Sequence, residues 1–570
     1  MTTPSPIKTS APERAANRAA GALSISQVLS LLPLLVVLLI FLGYFAVLLA
    51  YGRGLLKFPF DYDQGEGFEL YDAIRLSRGQ NIYLDNAVFP FYSSNYPPVF
   101  RLMMAPLIWL FGPQIWVGRI LSLAATIVIG LFIFLAARRL YPMRFETREW
   151  FSLSRILALA LPLLAALAFF AANYVYEIAP LARAHLPMVM FAFAGIYFID
   201  RAIGAPGTTR PRALLAGVGV ALLVVAGFTK LQAIDALAAG FAYLLLHKPK
   251  WCALALAASA SVAAIIVLVM NAATGGQFWL NVVLANVNEY DIQRTWMFYG
   301  QWFQLQGVLI VCAALYVLWD IVRMIRARSL APLTIWSLYF LAGSAMGMLT
   351  GKWGAGPTYL IAAIAASCVC TVGVLFRVMT LIRRIAETRR WRDPLAVALS
   401  LTAVLSAGLF FYQATLNVHL PTSGRLLGGV ARLLGVEGRS SYAPYQYYDS
   451  IGYTQLGHLM DNADTVNGFE MVKIITSAKG PVWSEEAMLT LTAGRDVVTN
   501  PTQLLNLSKS NMLDTTTMIE MIRNKAFGAA IFRAQFYPQD VMIAFGQNYH
   551  WATTVRMNGF DYMVLMPNDK

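Results

Sequence analysis

Apolar residues fall in long blocks along most of this chain, with polar residues confined to the gaps between them. The first block covers about 28–51, some 24 residues. That exceeds a signal-peptide core of roughly 7–15 residues and suits a retained spanning helix of about 20. The pattern predicts about eleven such helices, near 27–51, 114–138, 153–172, 180–199, 212–229, 231–247, 251–271, 304–323, 332–350, 357–380 and 393–413. Arg and Lys fix their sense. The turns "AARRLYPMR", "IDRAIG", "TTRPR", "HKPK", "RMIRAR" and "LIRRIAETRRWR" all fall on one face if the N-terminal tail, 1–26, is cytoplasmic, as basic loops require. An odd helix count then places loops 52–113 and 272–303 and the C-terminal segment outside.

Shorter patterns fill the gaps. Residues 65–79 carry a rough apolar face (Phe68, Leu70, Tyr71, Ile74) but are too short and too polar to span, so an interfacial helix is expected there. A second follows "NYPP", where Pro97 and Pro98 suit a helix start and "VFRLMMAPLIWLFG" again falls short of spanning length. From about Asn417 the composition turns polar. The segment 417–570 predicts a compact α/β domain. "GPVWSEEAMLTLTAG" reads as strand, cap and helix, with Ser484 as the cap and Glu485 and Glu486 in the first turn. "DVVTN", "GAAIFRA" and "DYMVLMP" read as strands. Asn558-Gly559 favours a tight hairpin turn.

Composition agrees. Of 570 residues, 58% are hydrophobic and only 13% charged, against about 25% charged in soluble domains. The net charge of +14 would suggest nucleic acid in a soluble protein. Here the basic residues sit in short loops between apolar runs, so membrane topology accounts for them and no nucleic-acid partner is expected. All four cysteines lie in apolar segments, which implies no disulfide framework in the tail.

The chemistry concentrates in "FDYDQGEGFEL", just after the first helix. Asp61 and Asp63, two apart, point the same way in an extended chain, roughly 7 Å from each other. Glu66 and Glu69 follow on the next turn. A carboxylate at the mouth of a membrane cavity can take a proton from a hydroxyl, and a pair can hold a divalent cation through oxygens. A plain solvated loop would account for the same charges.

The order of these words along the chain resembles the GT-C superfamily of membrane glycosyltransferases, in the branch of protein O-mannosyltransferase-like and aminoarabinose-transferase-like enzymes. "DYDQGEG" is followed by Leu76, Gly79 and Tyr83, by "YPP" (Tyr96 to Pro98), by "LFG" (Leu110 to Gly112) and by "GRILS" (Gly118 to Ser122). Further words are "YEIAPLARAHLPMVMFAF", "FTKLQA" and "GKWGAGPTYL". The resemblance covers roughly 30–380. It implies a transmembrane catalytic domain, 27–416, whose loop 52–113 is catalytic, with the domain 417–570 as a variable addition.

The reaction implied is transfer of a sugar from a polyprenyl-phosphate carrier to a glycan, lipid or protein acceptor outside the cytoplasm, with inversion at the anomeric carbon. An acid of the first external loop is the base. By position it is Asp63 or Asp61. Gln64 stands where many relatives have Glu, so Glu66 is a candidate for the second acidic role. The departing phosphate needs cations, for which Arg is a bidentate fork and Lys a point charge. Arg119, Arg183, Lys230 and Lys352 are placed for this near helix ends. His185 replaces an Asp that relatives often carry, and Glu177 and Tyr96 are candidate substrate contacts. A phosphate can be served by Arg and Lys alone, so weak or no dependence on a metal or other cofactor is expected. A bacterial inner membrane, with undecaprenyl phosphate as the carrier, is the expected setting. A transporter or flippase is the alternative, and it would want its charges near the membrane midplane.

Overall fold

Helices dominate because a backbone surrounded by hydrocarbon must satisfy its own hydrogen bonds. The computed structural model describes residues 25–141, 152–204, 209–417, 429, 432–433 and 460–569. In chain order the helices up to the tail are α1 (Ile25–Lys57), α2 (Glu66–Ser77), α3 (Val99–Phe111), α4 (Trp116–Arg139), α5 (Leu153–Ala171), α6 (Asn173–Ile178), α7 (His185–Gly204), α8 (Thr209–Thr229), α9 (Ile234–His247), α10 (Pro249–Ala273), α11 (Gln277–Val282), α12 (Ile292–Ala327), α13 (Ile335–Met346), α14 (Ile361–Thr388) and α15 (Pro394–Leu416). Among the described residues, nine helices are long and apolar enough to cross a membrane. The expected spans at 231–247 and 332–350 correspond to shorter apolar helices, each partly 3₁₀: Leu231–Ala233 leads into α9, and Gly347–Gly351 closes α13. The N-terminal tail lies outside the described residues.

Small side chains let the bundle close. The buried stretch 362–373 of α14 is rich in Ala, Ser, Cys and Gly, with Ile and Val between them, and α7 crosses α8 where a Cβ on Gly195 would meet the carbonyl of Gly219 at 2.8 Å. Close approach of this kind is how membrane helices gain van der Waals contact. At the end carrying Arg377, Asp320 of α12 binds that guanidinium at 2.7 Å and accepts from the hydroxyls of Thr334 and Ser337. In contrast, α10 buries only Cys252 and leaves its apolar faces for lipid.

The tail adds α16 (Asn462–Ser477), β1 (Val482–Ser484), α17 (Ala487–Thr492), α18 (Pro501–Lys509), α19 (Thr516–Arg523), β2 (Ala529–Phe532), α20 (Gln539–Asn548), β3 (Tyr549–Met557) and β4 (Phe560–Pro567). The sheet order is β1-β2-β4-β3, with β1 and β2 parallel and the rest antiparallel. Asn558 and Gly559 join β3 to β4 with φ of 54° and 77°, the left-handed pair that a tight hairpin turn demands.

Four sequence readings need correction. The segment "DVVTN" forms no strand; Thr499 makes only an isolated bridge to Phe91. Ser484 is not a helix cap, since it ends β1 and its hydroxyl is bound to the backbone of Glu486, which itself stands at the cap position. The loop 272–303 is largely helical, because α12 starts at Ile292 and bends at Gln306. Finally, α2 does not lie on the membrane surface. Residues Glu66 to Ile74 are all buried, with Phe68 and Tyr71 packed on Ala487 and Leu491 of α17. An amphipathic pattern marks one apolar face but is silent on what covers the polar one.

Loop and tail share their cores. Phe58 and Phe60 pack with Met471, Ile475, Ile531 and Val564, while Phe91 packs with Trp483, Phe527 and Phe545. A Cβ on Gly468 of α16 would run into the ring of Phe60. Gly468→Ala is therefore expected to destabilise the tail by about 1–3 kcal/mol through overpacking. Thermal unfolding in detergent checks this, and an unchanged melting temperature would contradict the packing of α16 on Phe60.

Candidate active site

One buried ion pair sets the geometry of the first loop. Arg119 of α4 is fully buried and binds both oxygens of Glu66 at 2.8 Å. Its remaining protons go to the carbonyls of Leu55, Phe58 and Phe60 at 2.5–2.7 Å. In turn Glu66 accepts from the amides of Tyr62, Asp63 and Ala182. Burial, the largest single influence, raises the Glu66 pKa, but the Arg119 guanidinium and the amides of Ala182 and Tyr62 together outweigh it and hold it below the ordinary value. The pair thus fastens the end of α1, the start of α2 and the turn before Arg183 to one point.

Asp61 and Asp63 are then sent different ways. Asp61 is fully buried; Oδ1 accepts from the Gly67 amide at 2.5 Å and Oδ2 from the Met488 amide at 2.9 Å. Burial, with Glu486 close by, pushes its pKa well above the usual range. Asp63 turns toward Arg183, whose Nε lies 3.5 Å from Oδ1. A Cβ on Gly65 would overlap the Arg183 guanidinium, so any side chain there would displace it from Asp63.

Asp63 and Arg183 line a polar cavity of about 110 Å³. Tyr96, Glu177, His185, Lys230 and Lys352 line it as well, together with Arg294, Tyr359 and Asn506. Seven of the ten residues singled out from sequence thus meet in one place. Asp61, Glu66 and Arg119 do not line it; they hold the loop. Four cationic side chains face two carboxylates. Lys230 Nζ contacts Nε2 of His185 and sits over the rings of Tyr96 at 4.9 Å and Tyr359 at 5.8 Å. When Lys230 is charged it has only protons to offer, so Nε2 then accepts and the imidazole proton lies on Nδ1. That atom has no partner among the described residues. Burial, followed by the charge of Arg183, pushes the Lys230 ammonium well below the ordinary lysine range. Lys352 donates to the Asn286 carbonyl at 2.8 Å, and Arg294 to that of Ala355 at 3.0 Å.

The sequence reading missed Arg294. Its signal was a charge inside an aromatic-rich stretch, "QRTWMFYGQW", that had been read as loop. It also missed the tail's contribution: Thr502 and Asn506 of α18 form part of the cavity wall. Among the described residues no three His, Cys, Asp or Glu side chains converge as a metal site.

The class these features define is a multi-pass membrane protein, with a charged cavity where its bundle meets a small sheet domain. No family model matches the sequence, and no curated protein matches it. Among solved structures the chain is similar to ArnT from Cupriavidus metallidurans bound to undecaprenyl phosphate, at 14% identity and a TM-score of 0.48, over 92% of this chain and 97% of that one. It is also similar to the archaeal oligosaccharyltransferase AglB from Archaeoglobus fulgidus in complex with an inhibitory peptide and a dolichol-phosphate. There the identity is 12% and the TM-score 0.44, over 90% and 73% of the two chains. The chemistry of the present chain rests on its own residues.

Two outcomes follow from the loop's electrostatics. Glu66→Ala strands Arg119 in the interior, and breaking a buried pair costs about 3–5 kcal/mol; the variant is expected to lose most of its folded yield on size-exclusion chromatography. Glu486 gives a pH dependence. Its pKa is pushed up to about 7, first by burial, even though Arg533 lies 2.7 Å away. A raised carboxyl stabilises the fold fully below its unfolded value of 4.5, and that contribution is lost as pH rises through the folded value. The melting temperature of the wild type minus that of Glu486→Gln should fall between pH 5 and pH 7.5.

Proposed function

We propose that this protein is an inverting glycosyltransferase of the GT-C type, moving a sugar from a polyprenyl phosphate to a hydroxyl acceptor, with Asp63 as general base. The observation that carries the reading is the meeting of Asp63 with Arg183, Lys230, His185, Lys352 and Arg294 in one cavity. A sugar phosphate ester needs both poles. The attacking hydroxyl needs a proton acceptor, and the departing phosphate needs fixed positive charge where its own charge develops. In the displacement the acceptor oxygen bonds to the anomeric carbon as the bond from that carbon to the phosphate oxygen breaks. The acceptor's proton passes to Asp63, and the lipid phosphate leaves against the cations. Arg183 and Lys230 are its main counter-charges, with the Nδ1 proton of His185 free to donate. Asp61, Glu66 and Arg119 keep a structural role in this scheme.

An apolar groove of about 810 Å³ supports a lipid donor. Pro98, Val99 and Leu102, Val224 and Phe228 of α8, and Leu254 and Val262 of α10 line it. Its upper end is two residues from Tyr96 on one wall and two from Lys230 on the other, so a prenyl chain lying there delivers its phosphate to the cations. Sidedness follows from charge. The α4 helix runs from Arg119 at the cavity end to Arg138 and Arg139 at the far end, where Arg139 approaches Asp200 of α7 at 3.7 Å. Basic ends belong to the cytoplasm, so the cavity and the tail face away from it. In a bacterium the setting is the inner membrane and the carrier undecaprenyl phosphate.

The test is transfer of radiolabelled sugar from undecaprenyl-phosphate donors in membranes holding the full chain. Asp63→Asn is expected to lower the rate by about 10²–10⁴-fold, the usual worth of a positioned base, and to leave lipid-phosphate binding intact. Lys230→Ala and Arg183→Ala should weaken that binding. Unchanged transfer in Asp63→Asn would remove the base assignment, and unchanged binding in both cation variants would remove the phosphate site.

A further inference from the structure

Beside the main cavity lies a smaller recess of about 50 Å³, lined on its inner side by Glu69, Asp72 and Arg101. The two spaces share Asn95, Tyr96, Arg183, Gly354 and Thr502, so the recess is a side pocket of the charged chamber. None of its three inner residues has a part in the reaction scheme above.

Their contacts are unequal. Arg101 is 1% exposed and is held by the carbonyl of Pro97 at 3.0 Å, by Glu69 Oε2 at 2.8 Å and by Asp72 Oδ2 at 3.3 Å. Asp72 is further bound by the Tyr92 hydroxyl at 2.6 Å. Glu69 is 2% exposed; its Oε2 lies 2.8 Å from Arg101 as an ion pair but has no hydrogen-bond partner among the described residues. A buried carboxylate oxygen without a donor is costly, and Glu69 lines a polar recess beside the site. Arg101 balances the charge of Asp72 and Glu69 without giving the Glu69 carboxylate a hydrogen bond, so what the recess lacks is one further donor aimed at that carboxylate.

We infer that the recess is a specificity pocket for the transferred sugar, in which Glu69 accepts a hydrogen bond from one sugar hydroxyl. The inference rests on the glycosyltransferase reading and adds to it a residue that reads the donor. Size limits the occupant. On the same measure the recess is less than half the main cavity, so the larger space is assigned to the ring and the recess to a hydroxyl or a hydroxymethyl arm. The ring stays in the main cavity beside Tyr96, with the anomeric carbon between Asp63 and the cations. A site built to hydrogen-bond a substrate hydroxyl rejects analogues that lack it far more strongly than an apolar pocket rejects a missing methylene.

Binding decides the point without requiring turnover. Full-length protein in nanodiscs is titrated with undecaprenyl phosphate, with its glucosyl, mannosyl, galactosyl and N-acetylglucosaminyl esters, and with monodeoxy forms of the tightest-bound ester. In the wild type, loss of one particular hydroxyl should weaken binding about tenfold or more, as for hydrogen bonds to charged groups. In Glu69→Ala that sensitivity should vanish while undecaprenyl phosphate itself still binds. Glu69→Gln keeps an acceptor oxygen and should restore part of the sensitivity, which separates reading of the sugar from loss of fold; the melting temperature of each variant is recorded alongside. The inference is overturned if the deoxy profile of Glu69→Ala matches the wild type, or if no sugar ester binds tighter than undecaprenyl phosphate. Failure of the wild type to bind undecaprenyl phosphate would instead strike at the phosphate site.

Discussion

Arg119 and Glu66 are the constraint on which the rest depends. Burying two charges costs several kcal/mol per ion, and apolar replacements of such pairs are often as stable. The reason for a charged pair here lies in the backbone around it. Between the end of α1 and the start of α2 the chain has no helix or strand to absorb its polar groups, and unpaired backbone is costly in so dry a place. The carbonyls of Leu55, Phe58 and Phe60 go to the guanidinium, while the amides of Tyr62, Asp63 and Ala182 go to the carboxylate. No apolar pair could do both. A sharp, irregular turn is thereby held rigid beside the cavity, and Asp63 and Arg183 each sit within three residues of an atom the pair fixes.

The crowd of negative charge after the first helix therefore divides into separate jobs. Glu66 braces the backbone. Asp61 anchors the loop to the tail through the Met488 amide. Glu69 faces the recess, and Asp63 faces the cations. Spacing alone could not make this division, because two acids at i and i+2 look equivalent in an extended chain. The turn at 62–65 breaks that equivalence, and its shape is set by Arg119, more than fifty residues away.

Where one physical rule governs a segment, the sequence was legible. Hydrocarbon thickness fixes the length of an apolar run, so the existence of the long helices was readable, while their ends were not: α12 starts twelve residues before the expected 304 and α14 ends eight residues past the expected 380. The rule weakens at 231–247 and 335–351, whose 3₁₀ pieces adjoin Lys230 and Lys352. Irregular backbone at that depth is tolerated where protein or a polar cavity surrounds it, so the departures from regular helix flank the two lysines of the cavity. Tertiary cover was not legible. The polar face of α2 was read as facing water, and α17 covers it instead. Nor did any local pattern show that α18, some four hundred residues from Asp63, would supply part of the cavity wall.

The balance of charge in the cavity explains why it is built this way. Burial, and then Arg183, Lys352 and Arg101, make the Lys230 proton easier to lose, with Glu69 acting the other way. Aromatic faces and a histidine nitrogen are its direct partners. A lone buried ammonium in such company is an expensive state, and an anion brought among these groups would relieve it. The chain keeps four cations close together with two carboxylates among them, and the brace at Glu66 fixes the backbone from which Asp63 reaches Arg183. An arrangement of this kind favours a ligand that carries its own negative charge, and favours it more as that charge grows. A phosphate that changes from diester to departing monoester gains charge in that way, so the same repulsion that burdens the empty cavity is drawn down most as the bond breaks.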